Sequence, residues 1–543
     1  MDLSAAFDSL TEGGGEKVEK EDVASPISVE AASDPVIVMA GSMDWARAVK
    51  GSAGKIKKGD DDEEPQFSTP TVLGGFSKKK IASLGVGPSA GHFLAIAIDG
   101  SVFALGLNSS GQLGLGADYT IVKAPTEAPL WTPGKRVAVK AAVGKNHSLV
   151  LLDDGSVMSA GCGSRGALGR GTHKKDLADK LTSPGAVKDF GTKVVAIAAG
   201  ADFSLAATED GDLYSWGWTE FGKLGQGTDG SYNTKDSSIK ITFTAEGDPG
   251  RVALPPQGDH EGGGPPAEPS SSSEPSAKRR RQKVVSVSAG KNHAACLCSD
   301  GVGYTWGDGA YGKLGHRNQE MKTSPTRLRE ARFSVLLCGD SSTCGLGYAE
   351  LRGRAFTKPP TQKDGMLYIW GVLKGTHGEG ATHPRAEQEL QGWTVKKTTL
   401  AMGAAHLALH ADDAAIAWAQ SPVAFGQLGY GSKGPKSSHK PQKLNDLDGL
   451  TDCAQVTAHA GATLFLFDKA NMDASKQKIL DALDEWTPPE GDDAFVDADA
   501  AADADDDDQE KTNGKGKKTK RGRGAAAKAP AAKKPAAKKS KKK

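Results

Sequence analysis

Nowhere in the 543 residues does an uninterrupted apolar run approach the roughly 18 residues that a membrane-spanning helix requires. No membrane span is expected. Cysteine is scarce, with six residues at positions 162, 296, 298, 338, 344 and 453. The segment from Met1 to Asp22 is acidic and lacks the apolar core of a secretory signal, so a secreted, disulfide-stapled protein is not expected and the thiols belong in a reducing compartment. Cys296-Leu297-Cys298 has no second pair at metal spacing, so these residues read as small strand hydrophobes rather than zinc ligands, and no cofactor or metal is expected. Long helical periodicity is missing as well, which turns attention to strands.

What is abundant is glycine, 69 residues of it, set among short runs of Val, Ile, Leu and Phe, as in chains of many short strands joined by tight turns. The net charge of +1 conceals opposed blocks. Residues 484–510 hold thirteen acidic and no basic side chains, and residues 511–543 hold fifteen basic and no acidic ones. Self-similarity is stronger than either signal. A glycine after an aromatic or small residue recurs at Ala40-Gly41, Leu105-Gly106, Ala160-Gly161, Trp216-Gly217, Trp306-Gly307 and Trp370-Gly371, with Trp418-Ala419 as a degenerate seventh. Six residues earlier stands a turn pair: Asp99-Gly100, Asp154-Gly155, Asp210-Gly211, Asp300-Gly301, Asp364-Gly365 and, degenerate, Asp412-Asp413. Asp-Gly between apolar runs predicts a two-residue hairpin turn with positive φ at both central positions. Gly-x-Leu-Gly follows each of four anchors, at 111–114, 166–169, 222–225 and 312–315, and returns at 426–429.

These motifs, at spacings of 55 and 56 residues in the regular units, resemble the regulator of chromosome condensation repeat. WD-type and kelch blades carry other signatures. The resemblance implies an all-β fold, a seven-bladed β-propeller spanning residues 34–470. The first anchor, Val36 to Gly41, has no strands before it, while Ala462 to Phe467 reads as half a blade. The two ends are therefore expected to share the seventh blade and leave no open sheet edge. Gly392-Trp393, the run from Ser421 to Gly431 and Pro435 to Ser438 resemble the telophase disc branch of the family. The Gly-Trp-Arg-His-Thr motif of a plant ultraviolet photoreceptor with this fold is absent.

Around the ring, residues 1–33 are expected to be a disordered acidic segment, 247–283 a disordered insertion between the third and fourth blades, 347–363 a second insertion, 471–486 a short capping helix, and 487–543 a disordered acidic-then-basic tail. Lys278, Arg279, Arg280 and Arg281 form a basic tetrad that is a nuclear import candidate. The end of the tail includes Lys517, Lys518, Lys520, Arg521, Arg523, Lys533, Lys534, Lys538 and Lys539. It has no aromatic residue to stack on bases, so it is expected to bind DNA phosphates without reading sequence.

His92, His147, His293 and His406 fall at equivalent repeat positions and, spread one per blade, cannot converge on a metal. They are expected to donate a hydrogen bond inside the blade. The recurring Trp216, Trp306, Trp370 and Trp418 suit packing between blades. The family resemblance implies a nuclear, chromatin-associated and mitotic monomer that binds a small GTPase of the Ran, Rac or Arf type, with guanine nucleotide exchange as the activity to test. Exchange needs no nucleophile or general base: a partner that stabilises the nucleotide-free GTPase accelerates release. The excursion Asp229 to Thr244 leaves the third blade, and its Asp229, Tyr232 and Lys235 are the GTPase-facing candidates. The alternative is a non-enzymatic scaffold for chromatin or mitotic proteins.

Overall fold

The computed structural model describes residues 34–497 apart from 44–65, 77–78, 118, 172–177, 234–240, 256–281, 330, 350–364, 373–379, 420–421 and 439. Seven antiparallel sheets form the seven blades of a propeller, and a separate two-stranded hairpin stands apart from them. Blade 1 runs from Ile81–Gly85 to Tyr119–Glu127, blade 2 from Ala138–Val143 to Leu181–Ala186, and blade 3 from Val194–Ala199 to Ala245–Val252. Blade 4 runs from Val284–Ala289 to Lys322–Arg327, blade 5 from Ala331–Cys338 to Ala381–Ala386, and blade 6 from Val395–Met402 to Gln442–Lys443. Blade 7 is composite. Cys453–Ala458 and Ala462–Asp468 supply its inner half, Pro35–Ser42 and Gln66–Leu73 its outer half, joined in the order expected from the sequence. Val36 lies opposite Phe467 and Gly41 opposite Ala462.

The anchor glycine has a steric reason. At Gly217 the backbone adopts φ +118°, and a Cβ there would lie 2.6 Å from both the Asp202 carbonyl oxygen and Phe203 Cα on the neighbouring strand. Only glycine fits such an approach. Where blade 6 has Ala419 instead, the pairing of its second and third strands ends one rung early, at Leu407 opposite Trp418.

The last glycine of Gly-x-Leu-Gly makes room for the following blade. A Cβ on Gly225 would sit 2.7 Å from the indole nitrogen of Trp306, and that indole donates to the Lys223 carbonyl at 2.9 Å. Trp216 meets Gly169 in the same way and donates to Ala167. Each tryptophan thus seals one blade to the previous one, as expected. Blade 2 has Ala160 in that place, and the space is filled by Trp131 from the connection before the blade. Trp131 is fully buried, donates to the Leu113 carbonyl at 2.8 Å and packs with Ala160 and Val143.

Several expectations need correction. The Asp-Gly connections are not two-residue turns: Gly100 donates to the Ala97 carbonyl, and glycine alone takes positive φ while Asp99 accepts from Ser101. That is a type I turn closed by a glycine bulge, which needs no left-handed Asp. Only at blade 6 do Ala411 and Ala414 pair across two residues, with Asp412 at φ +49°. The first insertion starts later than residue 247, because Ala245–Val252 is the outer strand of blade 3. The second starts after Ser342–Ala349, which pairs throughout with Ala331–Cys338. The helix is shorter than 471–486: Ala474–Asp481 is helical, capped by Asp473, and buries Leu480 against blades 6 and 7.

Trp486 is not on that helix. Glu485–Trp486 pairs in parallel with Val72 and Leu73, and Phe495–Asp497 pairs with Tyr119 to Val122 on the outer edge of blade 1, where Phe495 stacks on Tyr119 at 4.4 Å. Residues 485–497 therefore form a strap over the outer edges of blades 7 and 1, where a disordered tail was expected from residue 487. Pairing removes the open edges that those two blades would otherwise present.

Candidate functional site

Consecutive strands in a blade run in opposite directions. The inner-to-second and third-to-outer connections therefore share one face of the ring, and the second-to-third connections lie on the other. The excursion from blade 3 lies on the first face. Ser231–Asn233 and Ile241–Phe243 pair as a hairpin rooted where Thr219 Oγ1 donates to the Thr244 carbonyl at 2.9 Å and Trp218 meets Phe243 edge-on at 6.2 Å. Of the three candidates read from the sequence, Tyr232 stands on this hairpin, 49% exposed. Asp229 is a turn residue: its carboxylate accepts from the Ser231 amide at 3.1 Å and hydroxyl at 2.9 Å, and these bonds lower its pKa. Lys235 lies outside the described residues, as do the basic tetrad 278–281 and every tail lysine and arginine.

The same face carries groups that the sequence did not single out. Arg165 pairs with Asp202 at 2.6 Å and lies over Trp218 at 5.1 Å, linking blade 2 to the hairpin root. Lys223, the variable residue of a Gly-x-Leu-Gly, is buried and donates to Asn292 Oδ1 of blade 4 at 3.2 Å. Burial pushes its pKa down to about 8. Its blade 4 counterpart, Lys313, is paired with Asp308 at 2.5 Å. Before each of these motifs an aromatic residue takes a left-handed backbone, Phe221 at φ +64° and Tyr311 at φ +63°, and Tyr311 is 49% exposed. Such conformations are costly for bulky residues and persist where surrounding structure holds them. At the axis, Ser89 of blade 1 donates to Asp340 of blade 5 at 2.6 Å. Burial raises the Asp340 pKa, against the pull of Ser89 and of Lys291, Lys313 and Lys145. Exposed aromatics among cations form a surface suited to gripping another protein.

The four repeat histidines belong to the scaffold, but their bonds leave the blade rather than staying within it. His92 Nε2 meets Ser148 Oγ at 2.8 Å, His147 meets Ser204 at 2.9 Å, His293 meets Thr343 at 2.8 Å and His406 meets Thr463 at 2.9 Å, each on the next blade. The hydroxyls of Ser204, Thr343 and Thr463 then donate to the loop carbonyls of Ala167, Lys313 and Gln427. A hydroxyl already donating can only accept from the ring, which assigns the proton to Nε2 there. The buried cysteines carry single thiols, and burial pushes those of Cys298 and Cys338 up to about 12. A thiol held neutral is a poor nucleophile. Among the described residues the chemistry of this face is that of binding.

The profile of the Regulator of chromosome condensation (RCC1) repeat matches residues 99–151, 154–207 and 300–346, and a second profile of the same repeat matches 138–167 and 194–223. The chain is 32% identical to the Protein RCC2 homolog of Danio rerio over 418 residues, 76% of each chain. It is 30% identical to Protein RCC2 of Homo sapiens over 418 residues, 76% of this chain and 72% of the relative. Among solved structures it is similar to Prp20p from Saccharomyces cerevisiae, described together with its binding to Gsp1p and histones, at a TM-score of 0.57 and 19% identity over 88% of this chain and 97% of that one. No helix among the described residues is long and apolar enough to cross a membrane.

Proposed function

Because this chain belongs to the regulator of chromosome condensation repeat family, we propose that it regulates small GTPases and acts on chromatin in the nucleus, with roles in chromosome condensation and mitosis. The observation that carries the GTPase reading is the hairpin at Ser231–Asn233 and Ile241–Phe243. It projects Tyr232 from the face where the inner connections of the blades converge. A projecting element on the same face as exposed Tyr311 and the Arg165–Asp202 pair offers a partner an anchored, partly charged docking surface. Exchange on such a surface needs only tighter binding to the nucleotide-free partner. Each ~1.4 kcal/mol of that preference retained in the transition state speeds release about tenfold. Binding to Gsp1p and histones in Prp20p supports both halves of the proposal.

The test is release of a fluorescent guanine nucleotide from Ran, Rac and Arf type GTPases by the full chain. Acceleration on one of them, lost on Tyr232→Ala together with Tyr311→Ala, is the expected result. If none responds and none binds, the GTPase reading fails. The basic segment 511–543 favours a companion reading, retention on chromatin through phosphate contacts, which holds whether or not exchange is catalysed.

A further inference from the structure

Along the propeller axis the inner strands of all seven blades enclose a well of about 560 Å³. Its walls are mainly apolar: Leu84, Val143, Ile197, Val287, Leu337 and Met402 are among the residues that line it. One end is shut. Blade 1 joins its inner and second strands through six residues, 86–91, where the other blades use three or four. Gly87 and Pro88 of this long connection line the well, and Ser89 crosses the axis to Asp340. A Cβ on Gly87 would lie 1.8 Å from the Val143 carbonyl oxygen, so the connection is pressed against blade 2.

The other end opens on the opposite face. Six of the seven inner strands have a one-residue β-bulge close to that mouth, placing for example Val139 between Ala138 and Lys140, Val195 between Val194 and Ala196, and Ala454 between Cys453 and Gln455, while the inner strand of blade 6 breaks its register between Val395 and Leu400. Bulges re-aim side chains at the rims of closed sheets. Here Val139 is 47% and Ile98 46% exposed at the rim, an unusual placement for large aliphatic residues beside a cavity.

The polar side chains of the lining are Ser83, Ser288, Thr398, Gln455, Thr457 and two lysines. Lys140 and Lys397 stand at the mouth. Lys140 has no acidic partner among the described residues, and burial alone lowers its pKa. Deeper, the Thr457 hydroxyl lines the well, is 91% buried because only 9% of the residue is exposed, and has no hydrogen-bond partner. An apolar cavity of this size with a few converging polar groups is the usual form of a small-molecule site. Its shape narrows the choice. Inner strands of at least five residues set a depth of about 17 Å at ~3.3 Å per residue, so the well is a deep passage walled by strands of all seven blades. An extended aliphatic chain can lie along that depth against the walls.

We infer that the axial well binds a free, linear aliphatic carboxylate that enters tail-first, its chain against the seven inner strands and its head at Lys140 and Lys397. The chain removes apolar wall from water, and the head supplies the anion that the Lys140 ammonium lacks. The probe is monomeric dodecanoate, titrated calorimetrically into the full-length protein, with dodecan-1-ol as the uncharged counterpart. One saturable site is expected. Dodecanol should bind about tenfold more weakly, as should dodecanoate to Lys140→Ala, since each loses the charge-assisted hydrogen bond at the mouth, and tenfold corresponds to ~1.4 kcal/mol. Dodecanol should not distinguish Lys140→Ala from the native protein. Val139→Glu, at an exposed rim position where folding is undisturbed, should abolish dodecanoate binding by blocking the mouth with like charge. Unsaturable uptake, equal affinity for acid and alcohol on the native protein, or undiminished binding to Val139→Glu would each overturn the proposal.

Discussion

Acidification should unfold this ring well above the pH at which its carboxylates protonate. Six histidines are buried among the described residues, His92, His147, His293, His406, His410 and His459. Burial holds His92 and His459 down to about 3 and His147 and His406 down to about 4, and it lowers His293 well below the ordinary value of 6.5. Secondary influences differ in sign: Asp202 pulls His147 up, Lys313 pushes His293 down, and His147 and His459 push His92 down. The folded pKa lies below the unfolded one in each case, so the unfolded chain binds the extra protons. The contribution to stability is therefore complete above pH ~6.5 and is lost as pH falls from there toward 4 and 3. At pH 5 each such histidine forfeits ~1.36 × 1.5, about 2 kcal/mol. The four with stated values total about 8 kcal/mol, comparable with the ~5–15 kcal/mol that holds a typical domain together. Denaturant titrations at constant ionic strength from pH 7.5 to 4.5, followed by tryptophan fluorescence, measure it. Stability should fall by ~1.4 kcal/mol per pH unit for every histidine involved, a net uptake of four to five protons on unfolding. His147→Gln, whose amide can still donate to Ser204, should remove one proton from that slope. A flat profile between pH 6.5 and 5, or an uptake below about two protons, would refute the argument that these rings are neutral hydrogen-bonding parts of the scaffold.

Other outcomes follow from the same structure. Gly217→Ala, which drives a Cβ into the backbone of the adjacent strand, should cost about 2–3 kcal/mol or more and lower the melting temperature measured by circular dichroism. Trp131→Ala should cost ~3–5 kcal/mol despite its place in a connection, whereas replacing exposed Leu130 should change denaturant stability by less than ~0.5 kcal/mol. Truncation after residue 473 removes the helix and the strap and should lower the melting temperature, while truncation after residue 497 should leave it unchanged. The same longer truncation product should lose salt-dependent DNA affinity, because the slope of log K against log salt scales with ~0.9 per phosphate neutralised.

The number of blades and the way they close were legible because the glycine-anchored hairpin is local: turn, strand and anchor lie within some fifteen residues, and sterics at Gly217 or Gly225 leave one residue type. What escaped the sequence depends on distance. Glu485–Trp486 has no strand composition of its own, and its partner lies more than 400 residues earlier in the chain. Trp131 looked like an ordinary linker residue, although Ala160 in the tryptophan place was a signal that something else had to fill the gap. The histidines were placed correctly in the scaffold but assigned to the wrong neighbour, because sequence period reveals equivalence and not which blade faces which. For the candidate site, the length of the excursion from blade 3 marked a projection. The pairing of Arg165 with Asp202 and the burial of Lys223 arise only when three blades meet.

Blade 7 also sets a timetable for synthesis. Val36 emerges from the ribosome long before Phe467, its partner across the sheet. At ~5–20 residues per second, the 431 residues added after Val36 to reach Phe467 take roughly 20–90 s. Throughout that interval an eight-residue strand, nearly all of it destined for burial, waits with one edge bare. A nascent chain built this way should depend on holdase chaperones until its final turn is made, and premature termination anywhere before residue 462 should yield a product prone to stick to its own kind rather than a smaller working ring.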